Sequence, residues 1–146
     1  MFQNRSIANS KDTLFIYQLH KTLIDTLEKR LKITAVYSGQ LAEAYGDRAM
    51  YALFLNKFKE AEILSRKGLE MDSTHYNLKR KLGHSLLFQG KYGAAFDVYQ
   101  DYADDEAEDS EKANVELIIQ DFEDLKKTGL THKDIEKVKK ALQKKE

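Results

Sequence analysis

Leu53-Phe54-Leu55-Asn56-Lys57-Phe58-Lys59-Glu60-Ala61 is echoed 34 residues further on by Leu87-Phe88-Gln89-Gly90-Lys91-Tyr92-Gly93-Ala94-Ala95. A constant offset of this length is the period of a unit built from two antiparallel helices. At that offset Leu53 meets Leu87, Phe54 meets Phe88, Lys57 meets Lys91, Phe58 meets Tyr92 and Ala61 meets Ala95. Asn56 and Gly90 also coincide, and both tolerate the left-handed conformation that closes a helix and turns the chain back. The aromatic after the turn can wedge between the two helices. The small Ala three residues later lets their backbones approach. The pattern specifies a stacking helical module, suited to holding another molecule.

The second unit resembles a tetratricopeptide repeat. It carries Leu82-Gly83 in its first helix, the Gly90-Lys91-Tyr92 turn, and Ala95 and Tyr99 at the family's A-x-x-x-F spacing. The first unit is similar but departs more: Tyr45 stands where the family prefers Trp, Ala49 where it prefers Gly, and Ala61 is kept. Leu69-Glu70-Met71-Asp72 resembles the family's exit, with Ser73 in place of the terminal Pro. Arg48 replaces an expected Leu and Ser65 an expected aromatic, which implies looser packing or solvent at those two places. The resemblance covers residues 42–103 best. It implies an all-α fold, a right-handed superhelix (α-α solenoid) of antiparallel helix pairs, and the chain's breaks divide it into about seven helices. The expected division is 1–39 as an N-terminal helix or degenerate half-repeat, 40–74 and 75–105 as the two repeats, and 106–146 as an acidic linker with capping helices.

Composition agrees with a helical domain. The 146 residues are about one domain's worth and long enough to bury a core. Zero Pro, 33% charged and 42% hydrophobic residues describe neither a β-sandwich nor a disordered chain. A formal net charge of zero gives no global field toward nucleic acid or anionic lipid. The chain has no Cys, which removes disulfides, thiolate nucleophiles and Cys-type zinc sites. Met1-Phe2-Gln3-Asn4-Arg5-Ser6 lacks the apolar run of a signal peptide, and Leu14-Phe15-Ile16-Tyr17 is too short to span a membrane. A cytoplasmic setting is expected.

The first helix is predicted over Lys11 to Thr34, with Ser10 as N-cap, Asp12 in its first turn, and an apolar stripe of Ile16, Leu19, Leu23, Leu27 and Leu31. Its end echoes Arg66-Lys67-Gly68-Leu69-Glu70-Met71, as the second helix of a degenerate earlier repeat would, followed by a turn at Ser38-Gly39. The paired helices follow at 40–55 with 58–71 and 75–89 with 92–104. Beyond them Val115, Ile118, Ile119, Phe122 and Leu125 form a helical stripe, and Gly129-Leu130 reads as a left-handed C-cap. Thr131-His132-Lys133-Asp134 reads as a capping box opening a last helix that buries Ile135, Val138 and Leu142. This end is either a docking element or the cap that a short repeat stack needs.

No motif for catalysis is present. His20, His75, His84 and His132 form no metal-ligand cluster, and no nucleophile elbow or phosphate-cradling loop occurs. No catalytic, cofactor or metal site is expected. The acidic run Asp101, Asp104, Asp105, Glu106, Glu108, Asp109 and Glu111 lacks the alternate spacing and central Gly of a calcium loop and reads as a solvated linker. Lys133, Lys137, Lys139, Lys140, Lys144 and Lys145 form a basic end without the interleaved aromatics of a membrane or nucleic-acid surface.

In the family the first helix of each pair lines a concave groove. The resemblance places Glu43, Asp47, Met50 and Phe54 there from the first unit, and Asn77, Arg80, Lys81, His84 and Phe88 from the second. Each set recurs at spacings that share one helix face. Phe54 and Phe88 fit equally well as core residues. Arg80 and Lys81 beside the apolar side chains suit a peptide with acidic groups. Gly46 and Met50 occupy positions where some family members place a carboxylate clamp, which argues against that mode. The function expected is a non-catalytic protein–protein interaction module, an adaptor or scaffold. The alternative is a structural subunit that self-associates or joins an assembly through the ends of its stack.

Overall fold

The computed structural model describes residues 10–31, 38–104 and 111–144. Among these the chain forms seven helices and no strand. They are α1 (Ser10–Leu31), α2 (Ser38–Phe54), α3 (Phe58–Met71), α4 (Tyr76–Phe88), α5 (Tyr92–Ala103), α6 (Glu111–Lys127) and α7 (Ile135–Gln143). Each helix from α1 to α5 packs on its successor, α2 also touches α4, and α6 joins α5 to α7.

Three turns share one closure. Asn56, Gly90 and Gly129 have φ of 61°, 81° and 89°. The amide after each donates back across the turn: Lys57 to Ala52 at 2.8 Å, Lys91 to Leu86 at 3.0 Å, Leu130 to Leu125 at 3.0 Å. Asn56, Gly90 and Gly129 themselves donate to Leu53, Leu87 and Lys126. This double hydrogen bond satisfies carbonyls that a helix end leaves open, and it requires the left-handed residue. The expected turns are therefore present, and the one at Gly129 makes α6 and α7 a third hairpin.

Close approach is set by small residues. Ala61 and Ala95 are fully buried behind the first two turns. A Cβ on Gly83 would stand 2.5 Å from the Tyr99 ring, so glycine lets that ring lie flat against α4. Tyr99 is buried completely in consequence. Val115, Ile118, Phe122 and Leu125 of α6 and Ile135, Val138 and Leu142 of α7 join the core, with Ile119 at its margin.

Several expectations change. α1 buries Thr13, Tyr17, Ile24 and Leu27 and leaves Phe15, Leu19 and Leu23 at 64%, 51% and 46% exposure. Of the expected stripe only Leu27 is buried and Ile16 is half-buried, while the side chain of Leu31 and residue Thr34 lie outside the description. Tyr17 decides the rotation. Its ring receives Arg48 at 4.9 Å and Lys57 at 4.8 Å, and its hydroxyl accepts from Arg48 Nη2 at 3.2 Å. That combination of apolar body and polar tip secures α1 to α2 in a way a leucine stripe cannot. Arg48 also pairs with Glu60, and Ser65 is fully buried with its hydroxyl donating to the Ala61 carbonyl at 2.8 Å, so neither departure from the repeat pattern opens the first unit to solvent. Ser38 and Gly39 are the first residues of α2 rather than a turn. No capping box forms at Thr131: α7 begins at Ile135, and the Asp134 amide donates to His132 Nδ1 at 3.1 Å instead. The acidic segment 105–110 lies outside the described residues.

Glu62 ties the α2–α3 hairpin to the α4–α5 turn. From α3 it accepts from Arg66 at 2.9 Å, from Gln89 at 2.8 Å and from Lys91 at 3.2 Å. Burial pushes its carboxyl up, but the hydrogen bonds from Gln89, Arg66 and Lys91 outweigh burial and lower it from 4.5 to about 2. A carboxyl lowered in the fold contributes stability that is present above its unfolded value and lost as pH falls through the folded one. Thermal stability is therefore expected to fall between about pH 4.5 and pH 2, and Glu62→Gln should remove part of that slope; scanning calorimetry against pH checks it.

Candidate functional site

A cavity of about 400 Å³ opens between α2, α4 and α6. Glu43, Asp47, Met50 and Phe54 line it from α2, Asn77, Arg80 and Lys81 from α4, and Leu117, Gln120, Asp121, Asp124 and Leu125 from α6. The spacing explains each set. Residues three, four, seven and eleven apart recur on one helix face, and α6 has such a face beside its core stripe. The volume lies within the range of ligand pockets, about 300–1,000 Å³.

Seven of the nine expected groove residues line this cavity; His84 and Phe88 do not. Phe88 is core: its ring stacks on Phe58 at 5.2 Å and meets the His132 ring edge-on. His84 is completely buried one turn beneath Arg80. Its Nδ1 lies 2.7 Å from the Tyr99 hydroxyl and its Nε2 2.9 Å from Asp121 Oδ2. Burial pushes the Tyr99 hydroxyl well above its ordinary value, and because a carboxylate oxygen can only accept, Nε2–H donates to Asp121. The histidine expected at the surface of the groove is a bolt beneath it.

Arg80 completes that network. Its Nε donates to Asp121 Oδ2 at 2.8 Å, and its Nη1 donates to Asn77 Oδ1 at 2.7 Å and to the Tyr102 hydroxyl at 3.0 Å. Burial pushes the Asp121 carboxyl up, yet hydrogen bonds and charge from His84 and Arg80 prevail and hold it below its ordinary value. Lys81 differs. It is 7% exposed, and its nearest carboxylate oxygen, on Asp47, is 4.0 Å away. Burial lowers its ammonium from the ordinary value, against the opposing pull of Asp47.

The α6 residues were missed because the sequence shows only that helix's core stripe. The available signal was Gly129, which marks a third turn 39 residues after Gly90 rather than 34, with the acidic segment interrupting the period. Among the described residues no cluster of three or more His, Asp or Glu is arranged to hold a metal ion, and no helix is long and apolar enough to cross a membrane. The chain matches no protein-family model, no curated protein and no solved structure.

Arg80 is structural as well as groove-lining. Arg80→Glu would set a carboxylate against Asp121 in a nearly buried site, and losing one partner of such a pair costs about 3–5 kcal/mol. A denaturant melt should show a loss of that size, whereas Glu43→Gln, at a carboxylate 57% exposed, should change stability little.

Proposed function

We propose that the chain is a non-catalytic protein–protein interaction module, an adaptor or scaffold, that holds a protein segment in the cavity between α2, α4 and α6. One observation carries the reading: among the described residues only the first helix of each of the three hairpins supplies lining residues, and α3, α5 and α7 supply none. Alternation of this kind is what a tetratricopeptide-like right-handed superhelix produces, with first helices inward and second helices outward. Within this reading α6 is the first helix of a third, diverged repeat and contributes to the groove as well as closing the stack. A non-catalytic role fits the chemistry of the site. His84 is fully buried and bonded on both nitrogens, so it cannot reach a substrate, and Arg80 is held by three partners. The absence of Cys fits a reducing, cytoplasmic setting.

A second reading has its own observation. Phe15, Leu19 and Leu23 leave an exposed apolar stripe along α1, at one end of the stack. The stripe is spaced evenly about Leu19, so a second copy packed antiparallel would set Phe15 against Leu23 and bury the stripe twice. This is the structural-subunit alternative, with a second copy of the chain as occupant.

Two exposed positions separate the readings. Leu117→Lys charges the groove and Leu19→Lys charges the α1 stripe, both at side chains already 41% or more exposed. Capture from the native extract should lose its partner with Leu117→Lys and keep it with Leu19→Lys. If partners survive Leu117→Lys and the chain sediments as a dimer that Leu19→Lys dissociates, self-association replaces the adaptor reading.

A further inference from the structure

The charge that a partner meets in the groove is acidic, although the sequence points to cations. Arg80 and Lys81 have side chains only 11% and 9% exposed, whereas those of Glu43, Asp124 and Asp47 are 57%, 37% and 35% exposed. Arg80 already donates to Asp121, Asn77 and Tyr102, and Lys81 sits 4.0 Å behind Asp47. Glu43 is bonded to His75 at 2.8 Å, and Asp124 accepts from Gln120 at 3.0 Å with Lys127 at 3.9 Å. These partners leave both carboxylates partly in solvent. The cations are the floor of the site and the carboxylates its rim.

The apolar part of the lining lies beside that rim. Met50 and Phe54 continue the α2 face one and two turns beyond Asp47, and Leu117 and Leu125 add apolar lining from α6. From Glu43 to Phe54 the helix rises about 16 Å at 1.5 Å per residue, the reach of about five residues of extended chain. Resting on the groove reading above, we propose that the occupant is a cationic amphipathic protein segment: a large apolar side chain seated among Met50, Phe54 and Leu117, flanked by Lys or Arg that meet Glu43, Asp47 and Asp124. An acidic segment would face three part-exposed carboxylates before reaching either cation, and like charges brought together at an interface disfavour binding. Because the formal net charge is zero, a preference for cations must come from this local field and not from the molecule as a whole.

The test is selection from a synthetic peptide library on the immobilised full chain, with Leu or Phe fixed at the centre and the flanking positions varied among Lys, Gln and Glu. Peptides with Lys flanks should be recovered about tenfold over those with Glu flanks, and the ratio should shrink as salt is raised. Glu43→Lys with Asp124→Lys should reverse the preference, and the milder Glu43→Gln with Asp124→Asn should flatten it if the reversal impairs folding. Enrichment of Glu flanks, or equal recovery that Leu117→Lys abolishes, overturns the cationic inference while the groove reading stands. Lys-flanked peptides that bind Leu117→Lys as tightly as wild type overturn both, because their site then lies elsewhere.

Discussion

One carboxylate oxygen, Oδ2 of Asp121, receives both Arg80 Nε at 2.8 Å and His84 Nε2 at 2.9 Å. Arg80 and His84 stand one turn apart on α4, so the two bonds fix α6 in rotation as well as in distance. Tyr99 and Tyr102 extend the network into α5 by bonding His84 and Arg80 in turn. Three helices thus meet at one buried polar cluster, which ties α6 to α4 and α5 beside the apolar contacts of Val115, Ile118, Phe122 and Leu125. A buried network of this kind need not be worth more than a well-packed apolar core. Its consequence is positional, since a fully satisfied set of directional bonds admits one arrangement of the helices where leucines would admit several.

That cluster also explains the inverted charge of the groove. Holding α6 uses up the guanidinium of Arg80, and Lys81 beside it faces inward behind Asp47. What remains accessible on the rim is Glu43, Asp47 and Asp124. The buried cluster and the cavity rim are therefore two sides of the same region: the cations point inward and their carboxylate neighbours outward. Any change that frees Arg80 for a ligand also loosens the wall of the site.

The hairpins were legible in the sequence because left-handed turns demand specific residues. Asn56, Gly90 and Gly129 are visible without coordinates, and the same pair of hydrogen bonds closes all three turns, the first two 34 residues apart. That seven of the expected residues line one cavity was legible for a related reason, namely that helical spacing fixes which side chains share a face. His84 was misplaced because burial of a polar ring depends on partners far along the chain, Tyr99 and Asp121, that no local pattern announces. The rotation of α1 failed similarly. Periodicity offered several apolar faces on that helix, and the choice fell to Tyr17, which gains two cations and a hydrogen bond from α2 and the turn after it. Residue type alone does not say which charges are already paired, so the burial of Arg80 and Lys81 was not legible.

The Asp121 cluster is the contact through which α4 is expected to hold α6 beside the cavity. Native-state hydrogen exchange on wild type and Arg80→Met measures this directly. In wild type the amides of α6 should exchange with protection comparable to those of α4. In Arg80→Met, α6 and α7 should lose protection together while α2 and α3 keep theirs. Unchanged protection of α6 in the variant would show that apolar packing alone positions it and that the Asp121 cluster does not.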